Sequence, residues 1–206
     1  MCLFKQAAEA WLELIGTEYE IITGRKGKPY TINLDFAAAD FPHLAGMQYA
    51  LDVDFGLRSS EYYGAKLIPA LVDGKLDGTK IEKSRNWSKI IEGRLKAIIN
   101  LQKTLDSNFA ISLFDPRKVR GTHSKIDADF LIKNLDTGET YFVFISEDST
   151  HRQYCKSAFA QEGVDFMDNQ QKLTILQNTK RINESATVLF THPNYKPENK
   201  ESVSEL

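Results

Sequence analysis

An arginine lies within the apolar stripe of the longest helix that the sequence predicts. Residues 87–105 have helical periodicity, with apolar side chains at spacings of three and four: Trp87, Ile91, Leu95, Ile98, Leu101 and Leu105. At about 100° per residue, Arg94 falls near the middle of this stripe. A guanidinium keeps its charge, so its burial requires an anion, either a carboxylate of the protein or a phosphate or carboxylate of a ligand. We expect Arg94 to be largely buried, against an anionic partner or in a polar cleft.

The composition fits one domain with a sizeable core. The chain has 206 residues, 42% of them hydrophobic, and no apolar run approaches the about 18 residues of a membrane span. The N-terminal segment lacks the pattern of a secretory signal, and Cys2 and Cys155 are too few for a disulfide framework, which favours the cytoplasm. The net charge of −2 argues against coating nucleic acid by bulk charge but allows a local basic groove. We predict a single domain over residues 1–192 and a mobile tail over 193–206.

The order of the predicted elements indicates an α+β fold. A helix begins at Leu3, and a β-hairpin with a basic tip follows over residues 19–34 before helical spacing returns over residues 40–51. The second half alternates over residues 125–133 and has an apolar strand over 141–145, with further strand candidates at 111–113, 153–159, 173–176 and 187–190. We predict an N-terminal hairpin and helices packed on a mostly antiparallel sheet of four to five strands.

His43 lies in the first turn of the helix that follows the hairpin. A helix N-terminus favours anions and lowers the pKa of a histidine. A neutral imidazole in this position can act as a general base or donate a hydrogen bond to phosphate. The alternative is a histidine that only satisfies neighbouring backbone groups.

The strand over residues 153–159 is unusually polar. Its alternation places Tyr154 and Lys156 on one face and Cys155, Ser157 and Phe159 on the other. Lys156 can stabilise a phosphorane, and Ser157 or Tyr154 can bind phosphate. An edge strand can have the same polarity for solubility alone.

The densest basic stretch follows the strand at 111–113 and carries Arg117, Lys118, Arg120 and His123. Flexible basic loops beside a sheet are common in RNA-binding grooves, which makes these side chains candidates for substrate binding. They are equally common as solvated loops without a ligand.

Several catalytic signatures are absent from the sequence. It has no phosphate-binding glycine loop, no HExxH or CxxC motif and no other metal-ligand spacing, so we expect neither a cofactor nor a metal. Histidine, arginine, lysine, tyrosine and serine side chains on a small α+β sheet remain. They match a metal-independent ribonuclease, which needs a base for the 2′-hydroxyl, a cation for the phosphorane and an acid for the leaving oxygen.

Short segments in a fixed order resemble a known family. They are the hairpin and residues 41–46, 81–84, 90–95, 125–132, 154–159 and 169–176. In this order they resemble a phage-associated branch of the barnase/EndoU/colicin/RelE-like nuclease superfamily, found in phages and mobile elements of low-GC Gram-positive bacteria. The resemblance implies an RNase-like domain, RNase activity without metal, and His43, Arg94, Lys156 and Ser157 as site residues.

Two functions follow as hypotheses. The first is a toxin-like endoribonuclease in the cytoplasm of a bacterial host cell. In this hypothesis His43 is the base or acid. Arg94 and Lys156 hold the scissile phosphate, and Ser157 or Tyr154 orients it. The polar atoms of the first three should then lie within roughly 10 Å of each other. The alternative is a non-catalytic binding protein of a phage or mobile element that blocks a host factor. RNA is the expected partner, a host or cognate inhibitor protein is a further one, and no membrane contact is expected.

Overall fold

Seven strands form a closed barrel, and an eighth strand extends it on one side. The computed structural model describes residues 2–56, 66–120, 124–135 and 138–197. The strand order is β1-β2-β6-β5-β4-β3-β7, with β7 pairing back to β1 and β8 adding to β7. The strands are β1 (Thr17–Arg25), β2 (Lys28–Asp35), β3 (Phe109–Leu113), β4 (Phe130–Asn134), β5 (Tyr141–Glu147), β6 (Gln153–Ala160), β7 (Gln171–Ile182) and β8 (Ser185–Thr191).

The prediction of a four- to five-stranded antiparallel sheet is wrong. The N-terminal hairpin does not pack on the sheet but is part of it, because β1 pairs with both β2 and β7. The sheet is mixed, since β2 and β6 run parallel. Periodicity in the sequence shows which face of a strand is buried, but not which distant strand satisfies its backbone hydrogen bonds. The closing pairs join residues that are distant in sequence, from Thr17 and Ile182, 165 positions apart, to Gly24 and Thr174, 150 positions apart.

The helices are short and lie mostly in the first half of the chain. They are α1 (Leu3–Leu14), α2 (Phe41–Leu44), α3 (Leu67–Val72), α4 (Glu92–Ile99) and α5 (Leu101–Asp106). The long helix predicted over residues 87–105 is divided into a π-helical turn at Trp87–Ile91, then α4, then α5. The break between α4 and α5 is at Asn100, whose side chain donates to the carbonyl oxygen of Lys96 and to the Tyr141 hydroxyl.

Apolar side chains form two core clusters on opposite faces of the sheet. The larger core joins the helices to one face of the strands, and the Trp11 indole anchors α1 by donating to the Ala37 carbonyl oxygen at 3.0 Å. The smaller core consists of Phe114, Val119, Leu131, Phe142, Phe144 and Met167. Along β5 the residues alternate between the two cores, so both faces of this strand are buried.

The predicted strand over residues 125–133 is only partly correct, because residues 124–129 are irregular and β4 begins at Phe130. The domain boundary at residue 192 stays a prediction: residues 193–197 follow β8 without regular structure, and 198–206 lie outside the described residues. Within the described part of the chain, no helix is long and apolar enough to cross a membrane.

Candidate active site

The site lies where the barrel is held by the fewest strand hydrogen bonds. β2 and β6 pair only at Leu34–Gln153 and Asp35–Tyr154. Beyond Tyr154, β6 no longer pairs with β2, and β6 contacts both α2 and α4. The four residues predicted to be catalytic lie on these three elements: His43 on α2, Arg94 on α4, and Lys156 and Ser157 on β6.

The surroundings of His43 favour its neutral imidazole form. Its pKa is lowered from its usual value of 6.5, first by partial burial and then by the positive charges of Arg94 and Lys156, with Asp40 acting in the opposite direction. The sequence suggested the helix dipole as the cause, but α2 has only four residues, so few peptide dipoles are aligned there. The two cations therefore lie close enough to His43 to disfavour its protonation, and a neutral imidazole can accept a proton.

Arg94 is buried, as predicted, with 8% of its surface exposed. Its guanidinium carbon lies 5.3 Å from the centroid of the Tyr49 ring and 6.0 Å from that of Phe159. Among the described residues no carboxylate forms an ion pair with it, and its Nη1 atom has no hydrogen-bond partner. Burial lowers the pKa of Arg94, and the Tyr49 hydroxyl partly offsets this effect. The guanidinium is thus stacked on aromatic rings but lacks an anion.

Gly46 gives the Arg94 side chain its space. Its φ angle of +83° is in the left-handed region, and a Cβ atom added there would lie 3.2 Å from Cδ of Arg94. Such a contact is tighter than side chains usually accept, and the backbone conformation itself favours glycine. The glycine that ends the 41–46 segment therefore has a direct role in placing Arg94.

A β-bulge places Lys156. Cys155 pairs with Ile145 and Ser157 pairs with Phe144, so Lys156 is an extra residue without a partner on β5. The bulge changes the alternation: Cys155 packs in the larger core and Phe159 packs against the smaller one, so the prediction that they share a face is wrong.

Tyr154 supports the Lys156 side chain, as the sequence predicted for two residues on one face. The ammonium donates to the Tyr154 hydroxyl at 3.4 Å and lies 5.9 Å from the centroid of its ring. No carboxylate forms an ion pair with Lys156 in the part of the chain that the structure describes. Its positive charge, like that of Arg94, therefore has no acidic partner among the described residues.

Three residues on or next to α2, α4 and β6 have an unsatisfied buried polar atom. In the described residues, five buried side-chain atoms lack a hydrogen-bond partner, and three of them belong to Arg94, Ser157 and Gln48. Gln48 donates from Nε2 to the His43 carbonyl oxygen at 3.2 Å, which leaves its Oε1 unpaired. Buried polar atoms without partners are uncommon in folded proteins, and at a site they indicate a missing ligand or water.

An ionic cluster that the sequence reading missed anchors α2 to β6. Arg152 donates to Asp35 at the end of β2 and to both carboxylate oxygens of Asp40, which directly precedes α2. The two carboxylates raise the pKa of Arg152, and its guanidinium lies 5.5 Å from the centroid of the Tyr154 ring. The position of Asp40 just before a helix indicates a structural role for its carboxylate. The sequence does not show that its partner is Arg152, which lies 112 residues away.

The basic loop is not connected to this site in the described structure. Arg117 pairs with Asp115 at 2.9 Å, and Lys118 and Arg120 are exposed. Val119 packs in the smaller core, on the face of the sheet opposite the helices. The substrate-binding roles of Arg117, Lys118 and Arg120 stay predictions, and His123 lies outside the described residues.

The arrangement combines His43, whose surroundings favour the neutral imidazole, with two cations that have no acidic partner among the described residues and with the Tyr154 hydroxyl beside Lys156. Ser157 pairs with Phe144 of the smaller core, and its place in this group stays a prediction. Within residues 2–56, 66–120, 124–135 and 138–197, no group of three or more His, Cys, Asp and Glu side chains is placed to hold a metal ion. An imidazole beside two cations can move a proton next to an anion that the cations bind.

Comparison with protein-family models gave a match over residues 3–198 to the family described as phage-Barnase-EndoU-ColicinE5/D-RelE like nuclease4 (PBECR4). Searches of curated proteins and of solved structures found no match. The match covers nearly the whole chain and confirms the resemblance inferred from the short segments. This chain belongs to the phage-associated barnase/EndoU/colicin/RelE-like nuclease family 4.

Proposed function

We propose that this nuclease is an endoribonuclease that cleaves RNA phosphodiesters without a metal ion and leaves a 2′,3′-cyclic phosphate. The buried guanidinium of Arg94 carries the proposal, because it has neither a carboxylate partner nor a hydrogen bond at Nη1 among the described residues. A buried charge without a partner is costly for folding. A scissile phosphate is an anion of suitable size for this position, and family membership supports a nuclease substrate.

In the proposed mechanism, neutral His43 takes the proton of the ribose 2′-hydroxyl. The 2′-oxygen forms a bond to phosphorus, the bond from phosphorus to the 5′-oxygen breaks, and the 5′-oxygen takes a proton from water. The hydroxide left by that water takes the proton from His43, which returns the imidazole to its neutral form. Arg94 and Lys156 stabilise the additional negative charge of the phosphorane, and Ser157 or Tyr154 orients the phosphate through its hydroxyl. The lowered pKa of His43 keeps the base unprotonated near pH 7.

The alternative function is a binding protein of a phage or mobile element that blocks a host factor without cleaving RNA. The acidic net charge of −2 favours this alternative, because it weakens general attraction to nucleic acid. For either function we expect a protein partner, which is a host factor or a cognate inhibitor. The two functions differ in whether RNA is cut.

The test is incubation of pure protein with total RNA and transfer RNA in EDTA, with product ends identified by mass spectrometry. We expect cleavage with cyclic phosphate ends, and we expect His43→Ala to reduce the rate by roughly 10²–10⁴-fold. His192→Ala is the matched control, since His192 follows β8 and is not one of the predicted site residues, and its rate should equal that of the wild type. If the protein cleaves neither transfer, ribosomal nor messenger RNA, in EDTA or in Mg²⁺, the endoribonuclease function is rejected in favour of the binding-protein function.

A further inference from the structure

Arg152 lies directly before β6, in a turn that fixes its backbone. The Asp148 carboxylate accepts hydrogen bonds from the N–H groups of Thr150 and Arg152, and the Asp148 N–H donates to the Arg152 carbonyl oxygen at 2.9 Å. An aspartate that binds the backbone two residues further on is a common way to stabilise a short turn. The point from which the Arg152 side chain starts is therefore set by the turn itself.

The guanidinium of Arg152 joins two carboxylates from different elements. Its Nε donates to Asp35, the last residue of β2, and its Nη1 and Nη2 donate to the two oxygens of Asp40, the residue before α2. A forked pair of this kind fixes direction as well as distance. Only 26% of the Arg152 side chain and 14% of the Asp40 side chain is exposed. Unlike Arg94, Arg152 therefore has its charge balanced within the fold.

Asp40 transmits this restraint to His43. Oδ2 of Asp40 also accepts from the Ala37 N–H at 3.2 Å, and the Asp40 carbonyl oxygen accepts from the Leu44 N–H at 3.1 Å, in the first turn of α2. α2 has four residues, and a helix of one turn is not stable through its own hydrogen bonds. The direction of α2, and with it the position of His43, therefore depends on the pair of Asp40 with Arg152.

Tyr154 transmits the same restraint to Lys156. The centroid of the Tyr154 ring lies 5.5 Å from the guanidinium carbon of Arg152 and 5.9 Å from Nζ of Lys156, which also donates to the Tyr154 hydroxyl at 3.4 Å. The ring attracts both cations. Across the seam of β2 and β6, Tyr154 pairs with Asp35, which accepts from Arg152. Loss of Arg152 would free one side of this ring and weaken its support of Lys156.

We propose that Arg152 is a positioning residue, which fixes His43 and Lys156 relative to each other through Asp40 and Tyr154. The proposal rests on the proposed function for the roles of His43 as base and of Lys156 as phosphate-binding cation. One side chain then restrains two groups, on α2 and on β6, that must act on the same phosphodiester. In this role Arg152 touches neither the substrate nor the reacting atoms.

The charged groups around His43 come from three places. Partial burial and then the positive charges of Arg94 on α4 and Lys156 on β6 lower the pKa of His43, and the negative charge of Asp40 raises it. The turn at Met47–Tyr49, which also contacts α2, has no charged side chain. The pKa of His43 therefore responds to any change in the charge or the position of Asp40.

Removal of Arg152 should raise the pKa of His43. In Arg152→Met the Asp40 carboxylate loses its counter-charge and acts on His43 alone, which favours the imidazolium. Asp40→Asn should lower this pKa, because it removes the negative charge and leaves the positive charge of Arg152. The double variant Arg152→Met/Asp40→Asn loses both charges, so the pKa of His43 should return close to its wild-type value while the restraint on α2 stays absent.

The test combines NMR titration of His43 with cleavage kinetics on a short RNA, at a temperature at which each variant is folded by circular dichroism. The spectrum of His43→Asn assigns the His43 signal among the four histidines. For Arg152→Met we expect kcat/KM to fall about 10- to 100-fold, because small displacements of catalytic groups cost this much. The acid limb of its pH profile should move to higher pH with the pKa of His43.

The double variant should keep the low rate although the pKa of His43 is restored. Inorganic phosphate, titrated by calorimetry, should bind to Arg152→Met about 2- to 5-fold more weakly than to the wild type, because Lys156 loses part of its support.

Arg152→Lys separates charge from direction. Lysine keeps a positive charge beside Asp40, so the pKa of His43 should stay at its wild-type value. A single ammonium cannot form the forked pair, so kcat/KM should still fall at least about threefold. This variant also tests the proposal if Arg152→Met does not fold, and a wild-type rate in Arg152→Lys would count against the positioning role.

Arg181→Met is the matched control. Arg181 on β7 also joins two carboxylates, those of Glu18 and Glu20 on β1, at 3.8 and 3.2 Å. The rate of this variant and its His43 pKa should equal those of the wild type. A folded Arg152→Met variant with the wild-type rate would overturn the proposal. A lower rate with an unchanged pKa of His43 would overturn it as well, since Arg152 would then have a structural role only.

Failure of this proposal and failure of the proposed function give different results. If the wild type cleaves no RNA, but Arg152→Met raises the pKa of His43 and weakens phosphate binding, the coupling of Arg152 to the site stands and the enzyme is rejected. If the wild type cleaves RNA, and Arg152→Met does so at the same rate and with the same His43 pKa, the enzyme stands and the positioning role is rejected.

Discussion

Replacement of Arg94 by methionine should stabilise the protein while removing its activity. Methionine keeps the unbranched stem that passes Gly46 and places a thioether where the guanidinium begins. The variant loses stacking on Tyr49 and Phe159, at distances of 5.3 and 6.0 Å, which contributes about 0.5–2 kcal/mol. It also loses the hydrogen bond to the Tyr49 hydroxyl, which contributes about 0.5–1.5 kcal/mol. The variant also removes a buried N–H group without a partner, and the presence of such a group costs the wild type about 1–3 kcal/mol. It removes a buried charge as well, and replacing a buried charge by an apolar side chain is often neutral or stabilising by about 1–4 kcal/mol.

The favourable terms exceed the lost stacking and hydrogen bond, so we expect the Arg94→Met variant to be about 1 kcal/mol more stable than the wild type. For a chain of 206 residues this corresponds to a melting temperature about 2–4 °C higher. RNA cleavage should fall by about 10²-fold or more, because the phosphorane loses a preorganised donor. Inorganic phosphate should raise the melting temperature of the wild type but not that of the variant. Arg94→Leu should behave similarly, with some loss from its branched shape.

Arg85→Met is the matched control, because the Arg85 side chain is 88% exposed and pairs only at the surface with Asp52. Its stability should change by no more than about 0.5 kcal/mol and its activity should not change. Differential scanning calorimetry and a cleavage assay measure both quantities. A melting temperature of Arg94→Met more than about 4 °C below that of the wild type would refute the reasoning, since it would mean that the guanidinium is stabilised by a partner within the fold.

Three further results are expected. In NMR the pKa of His43 should lie below its usual value of 6.5, and bound phosphate should raise this pKa by offsetting the two cations. Because folding lowers the pKa, the protein should lose stability as the pH falls below 6.5 and His43 becomes protonated. His43→Asn should remove this contribution of His43 to the pH dependence of stability. Ser157→Ala and its control Ser112→Ala each remove a buried hydroxyl without a partner, so both should keep or gain up to about 1 kcal/mol, but only Ser157→Ala should lower cleavage. Gly46→Ala should cost at least about 1–2 kcal/mol, measured by urea unfolding, and also displace Arg94.

The sequence predicted the burial of Arg94 correctly because that prediction needs only the helical period. The same reasoning failed to divide the helix, since a π-helical turn and the break at Asn100 arise from local hydrogen bonds that leave the apolar spacing intact. His43 and Lys156 lie on α2 and β6, and both of these elements contact α4. That the polar atoms of His43, Arg94 and Lys156 lie within roughly 10 Å of each other stays a prediction. Their catalytic roles stay predictions.

The barrel could not be predicted from the same patterns. The hairpin of β1 and β2 was assigned to the helical half because nothing local shows that β1 pairs with β7 or that β2 meets β6 in parallel. Each pairing forms between the edges of two strands that are distant in sequence. Which edges meet is decided only when the chain folds, so the local pattern of residues does not show it. The Arg152–Asp40 pair was missed for the same reason, since its partners are brought together only when the barrel closes.

The departures from regular structure in this protein surround the three groups that the proposed chemistry uses. The left-handed Gly46 makes room for Arg94, the bulge at Lys156 frees its side chain from the strand alternation, and the two-residue contact of β2 with β6 leaves an edge to α2, which carries His43. Regular helices and sheets satisfy their polar groups internally, so they have little left for a ligand. Irregular segments that persist beside unpaired buried atoms therefore indicate a binding site more strongly than the residue types alone. By this reasoning, we expect the substrate of this nuclease to bind at the seam between β2 and β6.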